Sequence, residues 1–170
     1  FTSPVSYRDR NHGGVGALMS PADSVLLHGK LWIVENDIRT SNVVRQTARE
    51  ADWDWIPRVN SLYNQLQVYT REAGHMLAHG MGCWYMDLLG YGWQHHPMVW
   101  EHIGRILKLY RGAMGKLKPL RPDVAVLVDE DAMSLATHAR AVGENLLLKL
   151  RTNFYRAGIK FGLYTAADFE

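Results

Sequence analysis

Apolar positions along the chain fall into short continuous runs separated by stretches with helical spacing. Three runs stand out, at residues 31–34, 81–86 and 124–128. Each run ends in a carboxylate, at Glu35, Asp87 and Asp129 respectively. Continuous apolar runs of this length are typical of strands buried on both faces, and α/β folds bind ligands at the carboxyl ends of such strands. The pattern therefore predicts strands that each deliver a charged side chain to the carboxyl edge of a sheet.

Helical periodicity appears between these runs. From Ser61, a plausible N-cap, apolar side chains recur at Leu62, Leu66, Tyr69, Ala73 and Leu77, and Gly80 is a suitable stop. A second amphipathic helix carries Val99, Ile103, Ile106 and Tyr110 on one face. The order strand, helix, strand predicts a βαβ unit with parallel strands, so that Glu35 and Asp87 emerge at the same edge.

The remaining segments divide the chain into two units. Residues 1–28 are rich in turn formers and predict a long loop, and residues 40–60, with Trp53 and Trp55, also lack a clear period. Residues 112–122 predict a linker. After it come the run at 124–128, a long helix to about Arg156 and a strand at 159–164, which is the beginning of a doubly wound unit. We therefore predict two domains, at residues 1–115 and 121–170.

Composition excludes several classes of protein. The 170 residues carry a formal charge of +2, which is too small to indicate a nucleic-acid or anionic-membrane partner. No apolar run approaches the ~20 residues that cross a bilayer, and no signal peptide is visible. The single cysteine, Cys83, excludes an intrachain disulfide and a cysteine-rich zinc site. We expect a soluble α/β protein, with a cytoplasmic location favoured, and the absence of an initial Met is expected of a segment from a longer chain.

Three stretches together resemble one enzyme family. They are SPVSYRDR with the following HGG, SPADSVLLHGKLWIVENDIRT, and REAGHMLAHGMGCWYMDLLGYGW. In this order they resemble the later strands of the (β/α)8 barrel in glycoside hydrolases related to family 42, and residues 121–170 resemble the start of the flavodoxin-like domain that follows that barrel. The resemblance implies that the sixth strand ends near residues 3–7, that the seventh carries Glu35 and that the eighth carries Trp84.

The resemblance also implies a chemistry. Enzymes of this family cleave β-linked sugars, typically β-galactosides, with retention of configuration through two glutamates. Glu35 matches the nucleophile at the end of the seventh strand, whereas the general acid lies on a fourth strand that this sequence does not contain. A nucleophilic carboxylate must be ionised, and the neighbouring cations Arg10 and Arg39 are expected to favour that state. The sequence ENDIRT differs from that of close family members, which leaves the sugar open.

Seven further residues are candidates for binding the substrate: Tyr7, Arg10, Asp37, Arg39, Trp84, Asp87 and Trp93. Tyr7 matches a position where related barrels place a tyrosine against the nucleophile, but it could equally serve packing. Trp84 is either an apolar platform beneath a sugar ring or part of the barrel core. Asp87 is either a ligand for a sugar hydroxyl, a cap for the next helix or a partner for an arginine.

We predict no metal and no cofactor. His75 and His79 are one helical turn apart but lack the third ligand that such a site needs. The expected partners are a carbohydrate and either a second copy of the chain or the missing part of the barrel. The alternative function is a non-catalytic α/β protein that serves assembly or carbohydrate binding.

Overall fold

The computed structural model describes residues 1–42, 58–118, 120–137 and 143–169. Within these residues the protein is a mixed α/β structure with five α-helices and two small parallel sheets. The elements in chain order are β1 (Thr2–Pro4), α1 (Ala22–Leu27), β2 (Ile33–Asn36), α2 (Leu62–His79), β3 (Gly82–Tyr85), α3 (Pro97–Ala113), β4 (Val124–Val128), α4 (Glu130–Leu135), α5 (Lys149–Ala157) and β5 (Phe161–Thr165). Trp53 and Trp55 lie outside the described residues.

The first sheet has the strand order β1-β2-β3, and both pairings are parallel. Pro4 lies on the outer strand β1, where its missing N–H is tolerated. The βαβ unit predicted from the sequence is therefore present, with β2 and β3 adjacent and parallel. One face of this sheet packs on helices: Val34 is buried in a core with residues of α2 and α3, among them Met76 and Val99.

The strand that carries Glu35 is shorter and less enclosed than the sequence suggests. It begins at Ile33, and Leu31 is 61% exposed, so the prediction of burial on both faces is wrong at that position. Exposure alternates along β2, since Val34 and Asn36 are buried while Ile33 and Glu35 are only partly so. This alternation is typical of a strand covered on one face only.

Helix α2 has the predicted ends. The Oγ atom of Ser61 accepts a hydrogen bond from the N–H of Asn64 at 3.2 Å, and Gly80 ends the helix in the left-handed conformation with φ 74°. Three polar side chains on its inner face are buried at seven-residue intervals: Gln65, Glu72 and His79. We call these three residues the polar seam. Gln65 bonds to Asn42 and to the backbone oxygen of Trp93, and His79 lies against Asp23 of α1, whereas Glu72 is bonded by its neighbour Arg71.

Two other predictions from the sequence are wrong. The loop predicted for residues 1–28 contains β1 and the six-residue helix α1, which is too short to show a period. The single long helix predicted to reach Arg156 is interrupted, because α4 ends at Leu135 and Ala136 is extended with ψ 123°. A π-helical turn, Gly143–Leu148, then precedes α5.

The second sheet pairs β4 with β5 in parallel and has its own apolar cluster around Val126, Phe161 and Leu163. Polar contacts join this cluster's sheet to α1. Asp23 accepts from the backbone N–H of Leu163 at 2.8 Å and lies 2.9 Å from Nδ1 of His79. Helix α1 thereby connects β5 with the end of α2.

Candidate active site

Glu35 lies near the carboxyl end of the middle strand of the first sheet. Its register partners are Pro4 on β1 and Trp84 on β3. Register partners in a parallel sheet project to the same side, so all three side chains lie on the face opposite the helices. Trp84 is 43% exposed and Glu35 is partly exposed, which shows that this face is open to solvent. We call it the open face.

A cluster of three side chains lies beside Glu35. The hydroxyl of Tyr7 donates to Oδ2 of Asp37 at 2.8 Å. Arg10 donates from Nη1 to Oδ1 of Asp37 and from Nη2 to the backbone oxygen of Asp37 at 2.7 Å. The guanidinium carbon of Arg10 also lies 4.2 Å from the centroid of the Tyr7 ring. These contacts join the loop after β1 to the end of β2, and we call Tyr7, Arg10 and Asp37 the carboxylate cluster.

Electrostatics in the site differ from the expectation drawn from the sequence. Burial and then the charge of Asp37 raise the pKa of Glu35, and the opposing effect of Arg10 is smaller. The prediction that neighbouring cations hold this pKa low is therefore wrong in its net direction. The physical reason is that burial and the charge of Asp37 outweigh Arg10, which makes its hydrogen bonds to Asp37 rather than to Glu35.

Tyr7 is held in its protonated form. Burial raises its pKa to about 12, with further contributions from its hydrogen bond to Asp37 and from the Asp37 charge. Glu35 is close enough to raise the same pKa slightly, whereas Arg10 lowers it. A phenol that stays protonated is a constant hydrogen-bond donor beside two carboxylates.

Four of the seven predicted substrate ligands are buried: Arg10, Asp37, Arg39 and Trp93. Arg39 and Trp93 are each 1% exposed. The backbone oxygen of Trp93 accepts from the hydroxyl of Thr40 at 2.6 Å and from Nε2 of Gln65 at 3.2 Å. Trp93 therefore ties the loop after β3 to the end of the β2 segment, and its indole presents almost no surface to a ligand.

Asp87 organises the loop that follows β3. Its carboxylate accepts from the backbone N–H groups of Gly92, at 3.1 Å, and of Trp93, at 3.3 Å. The helix-capping alternative is wrong, because Asp87 makes no side-chain cap hydrogen bond to the turn Leu88–Gly90 and α3 is capped by His96. The carboxylate instead supports the backbone of the loop. Asp87 is exposed, and its predicted contact with a sugar hydroxyl stays a prediction.

Sequence reasoning missed Arg71 and Glu72 on α2. Glu72 is 1% exposed, and burial raises its pKa to about 7 although Arg71 and Arg10 lower it. Arg71 donates to Glu72 and also to backbone oxygens of the loop that carries Arg10. The signal in the sequence was helical position, since Glu72 follows Tyr69 by three residues and so shares its buried face.

Among the residues that the structure describes, no group of three His, Cys, Asp or Glu side chains is placed to hold a metal ion. Within the same residues, no helix is long and apolar enough to span a membrane. No family model matches the chain, and neither the curated proteins nor the solved structures include a similar one. Geometry and chemistry are therefore the basis for any functional conclusion.

Proposed function

We propose that the protein is a retaining glycoside hydrolase in which Glu35 is the nucleophile. Glu35 attacks the anomeric carbon of a β-linked sugar, the aglycone leaves with a proton from a general acid, and water then hydrolyses the glycosyl-enzyme. The general acid comes from a strand outside this sequence. Galactosides are the substrates that the family resemblance favours.

The observation that carries this proposal is the pairing of Glu35 with Trp84 on the open face. A carboxylate beside an exposed indole combines a nucleophile with an apolar surface that suits the C–H face of a sugar ring. Both side chains lie near the carboxyl ends of neighbouring parallel strands, which is where α/β barrels carry their active sites.

The carboxylate cluster supports the same function. Tyr7 and Arg10 both bind Asp37 and leave Glu35 partly exposed for reaction. Glu35 is close enough to raise the pKa of the Tyr7 hydroxyl slightly, and this hydroxyl is a suitable donor to a carboxylate or a sugar oxygen. Asp87 and Trp93 then act mainly through the loops that they hold.

We further propose that the first sheet is part of a (β/α)8 barrel. Three successive parallel strands lie in the order of the chain, and, within the described residues, β1 and β3 pair on one side only. Unpaired edges recruit further strands, supplied either by the rest of a longer chain or by a second copy. The β4-β5 sheet is, on this proposal, the first part of a flavodoxin-like domain.

One observation favours carbohydrate binding without catalysis as a second candidate. The best-placed cation, Arg10, is bonded to Asp37, and the pKa of Glu35 is raised. A raised pKa narrows the pH range in which Glu35 is ionised, and only the ionised form attacks carbon, whereas either form binds a sugar hydroxyl. The two functions differ in whether a covalent intermediate forms.

Glu35→Gln in the full-length protein separates them. Gln keeps the shape of Glu35 but cannot attack, so hydrolysis of an aryl β-galactoside should fall by at least about a thousandfold while sugar binding persists. Glu101→Gln is the matched control, since Glu101 lies 66% exposed on α3. Near-normal hydrolysis by Glu35→Gln, from a preparation whose wild type is active, would overturn the assignment.

A further inference from the structure

A loop near the active site is fixed by two adjacent residues of α2. Arg71 donates from Nη1 to the backbone oxygens of Asn11, at 2.9 Å, and Gly14, at 2.7 Å, and from Nη2 to that of Arg10 at 2.6 Å. Its Nε atom donates to Oε1 of Glu72 at 3.0 Å. We call Arg71 and Glu72 the loop clamp. The guanidinium group of an arginine carries five N–H donors in a rigid planar fork, which suits this arrangement. A lysine cannot reproduce it.

The loop lies unusually close to Glu72. Gly16 has φ +58°, and a Cβ atom at this position would overlap Oε1 of Glu72. Gly13, on the same loop, also has a positive φ of +82°, but its Cβ would meet nothing within 4 Å. Both glycines therefore have a positive φ that favours glycine. Only at Gly16 would a side chain also collide with the clamp.

Arg10 connects the clamp with the carboxylate cluster. Its backbone oxygen is held by Arg71, while its side chain makes both hydrogen bonds to Asp37. Arg10 is 1% exposed, so a shift of its backbone cannot be absorbed by moving the side chain into solvent. The position of Asp37, and of the Tyr7 hydroxyl that it holds, therefore depends on the loop.

We infer that Arg71 and Glu72 are positioning residues of the active site, which set the carboxylate cluster beside Glu35 by fixing the loop at residues 9–16. Neither residue is expected to touch substrate, and this role rests on the proposed function of Glu35. Oε2 of Glu72 is buried without a hydrogen-bond partner, a costly arrangement that packing alone does not require.

The test uses the full-length protein and two pairs of variants. Arg71→Met alone would leave Glu72 buried without its cation, so the variant measured is Arg71→Met with Glu72→Gln. Its control is Arg105→Met with Glu101→Gln, an exposed pair on α3. Gly16→Ala is compared with Gly13→Ala, which imposes the same backbone strain without the overlap.

Three readouts are followed. Hydrogen exchange reports on the N–H of Gly16, which donates to the backbone oxygen of Asp9 at 2.7 Å. The ¹³Cζ resonance of Tyr7, assigned with Tyr7→Phe, reports on the hydrogen bond to Asp37. Steady-state kinetics with an aryl β-galactoside separate kcat from KM.

In the clamp variant and in Gly16→Ala, exchange of the N–H at position 16 should accelerate about tenfold, the Tyr7 pKa should fall toward 10, and kcat should drop at least about tenfold with little change in KM. Both controls should resemble wild type. Faster exchange with an unchanged Tyr7 titration and an unchanged kcat would overturn the positioning role, as would unchanged exchange. If the wild type hydrolyses nothing, the proposed function fails, and the Tyr7 titration still decides whether the clamp sets the cluster.

Discussion

Glu35 and Trp84 are register partners on adjacent parallel strands, and their side chains lie on the same open face of the sheet. Neighbouring strands are separated by ~4.8 Å, so the carboxylate and the indole begin from backbone positions that a single sugar ring can span. The local sequence around either residue does not determine this placement. The pairing of β2 with β3 creates it.

Trp84→Ala should weaken sugar binding far more than it weakens the fold. Trp84 is 43% exposed, so its removal should lower the free energy of unfolding by about 1 kcal/mol or less. Loss of an aromatic platform should weaken the binding of substrate or product about tenfold, equivalent to ~1.4 kcal/mol. Titration calorimetry with galactose and thermal unfolding measure the two effects.

Trp32→Ala is the control for the core. Trp32 is 5% exposed in the apolar cluster, and its truncation should lower the free energy of unfolding by ~3–5 kcal/mol without a specific effect on binding. If Trp84→Ala destabilises the protein as much as Trp32→Ala does, Trp84 is a core residue and not a platform.

Local signals in the sequence predicted the ends of elements better than the contacts between them. Ser61 and Gly80 bound α2 as predicted, because an N-cap and a left-handed C-cap depend on a few consecutive residues. The carboxylate after the first apolar run was also placed correctly at a strand end. The division into domains and the role of Glu35 stay predictions.

The polar seam shows why the rest could not be read from the sequence. Gln65 bonds to Asn42, His79 lies against Asp23 of α1, and the loop at Gly16 approaches Glu72 closely. Each of these contacts joins residues far apart in the chain. Apolar periodicity alone assigns polar residues to the solvent side of a helix. The hydrogen-bond partner of Arg10 was missed for the same reason. The positions of Arg10 and Asp37 in the sequence do not show that the guanidinium group of Arg10 reaches the Asp37 carboxylate.

Asp37→Asn should move the acidic limb of the pH–rate profile to lower pH. Burial raises the pKa of Glu35 first, and the charge of Asp37 raises it further. Removal of that charge lowers the pKa, so Glu35 stays ionised, and kcat/KM is retained, at lower pH than in the wild type. Asp123→Asn is the control because Asp123 is 64% exposed and pairs with Lys160. An acidic limb that stays in place or moves to higher pH would show that Asp37 does not act on the group that controls it.

Glu72→Gln should reduce the dependence of stability on pH. The folded state raises the pKa of Glu72 from 4.5 to about 7, so its contribution is fully present below pH 4.5 and is lost as the pH rises through about 7. Across that window, the free energy of unfolding should fall by up to about 3 kcal/mol more in the wild type than in Glu72→Gln. Urea unfolding at about pH 5 and about pH 8 measures this difference. Glu101→Gln, at an exposed position of α3, should match the wild type, and a wild-type stability that rises more steeply with pH than that of Glu72→Gln would contradict the assignment.

Azide should restore turnover to Glu35→Ala and should reveal the role of Glu35 through the configuration of the product. The truncation removes the nucleophile and leaves space on the open face, where Glu35 is partly exposed. A small anion then attacks the anomeric carbon from the vacated side, a carbon–nitrogen bond forms, and the aryloxide leaves from the opposite side. With a dinitrophenyl β-galactoside, whose aryloxide needs no protonation, azide should raise the rate at least about tenfold.

The product of a nucleophile variant is the α-glycosyl azide, because a single displacement inverts the configuration. An acid/base glutamate would instead leave the covalent intermediate intact, and azide would then give the β-product. Glu35→Gln is the matched control, since its amide fills the space and should block the rescue. Proton NMR of the anomeric centre distinguishes the two azides. A β-glycosyl azide from Glu35→Ala would assign Glu35 as the acid/base and place the nucleophile on another strand.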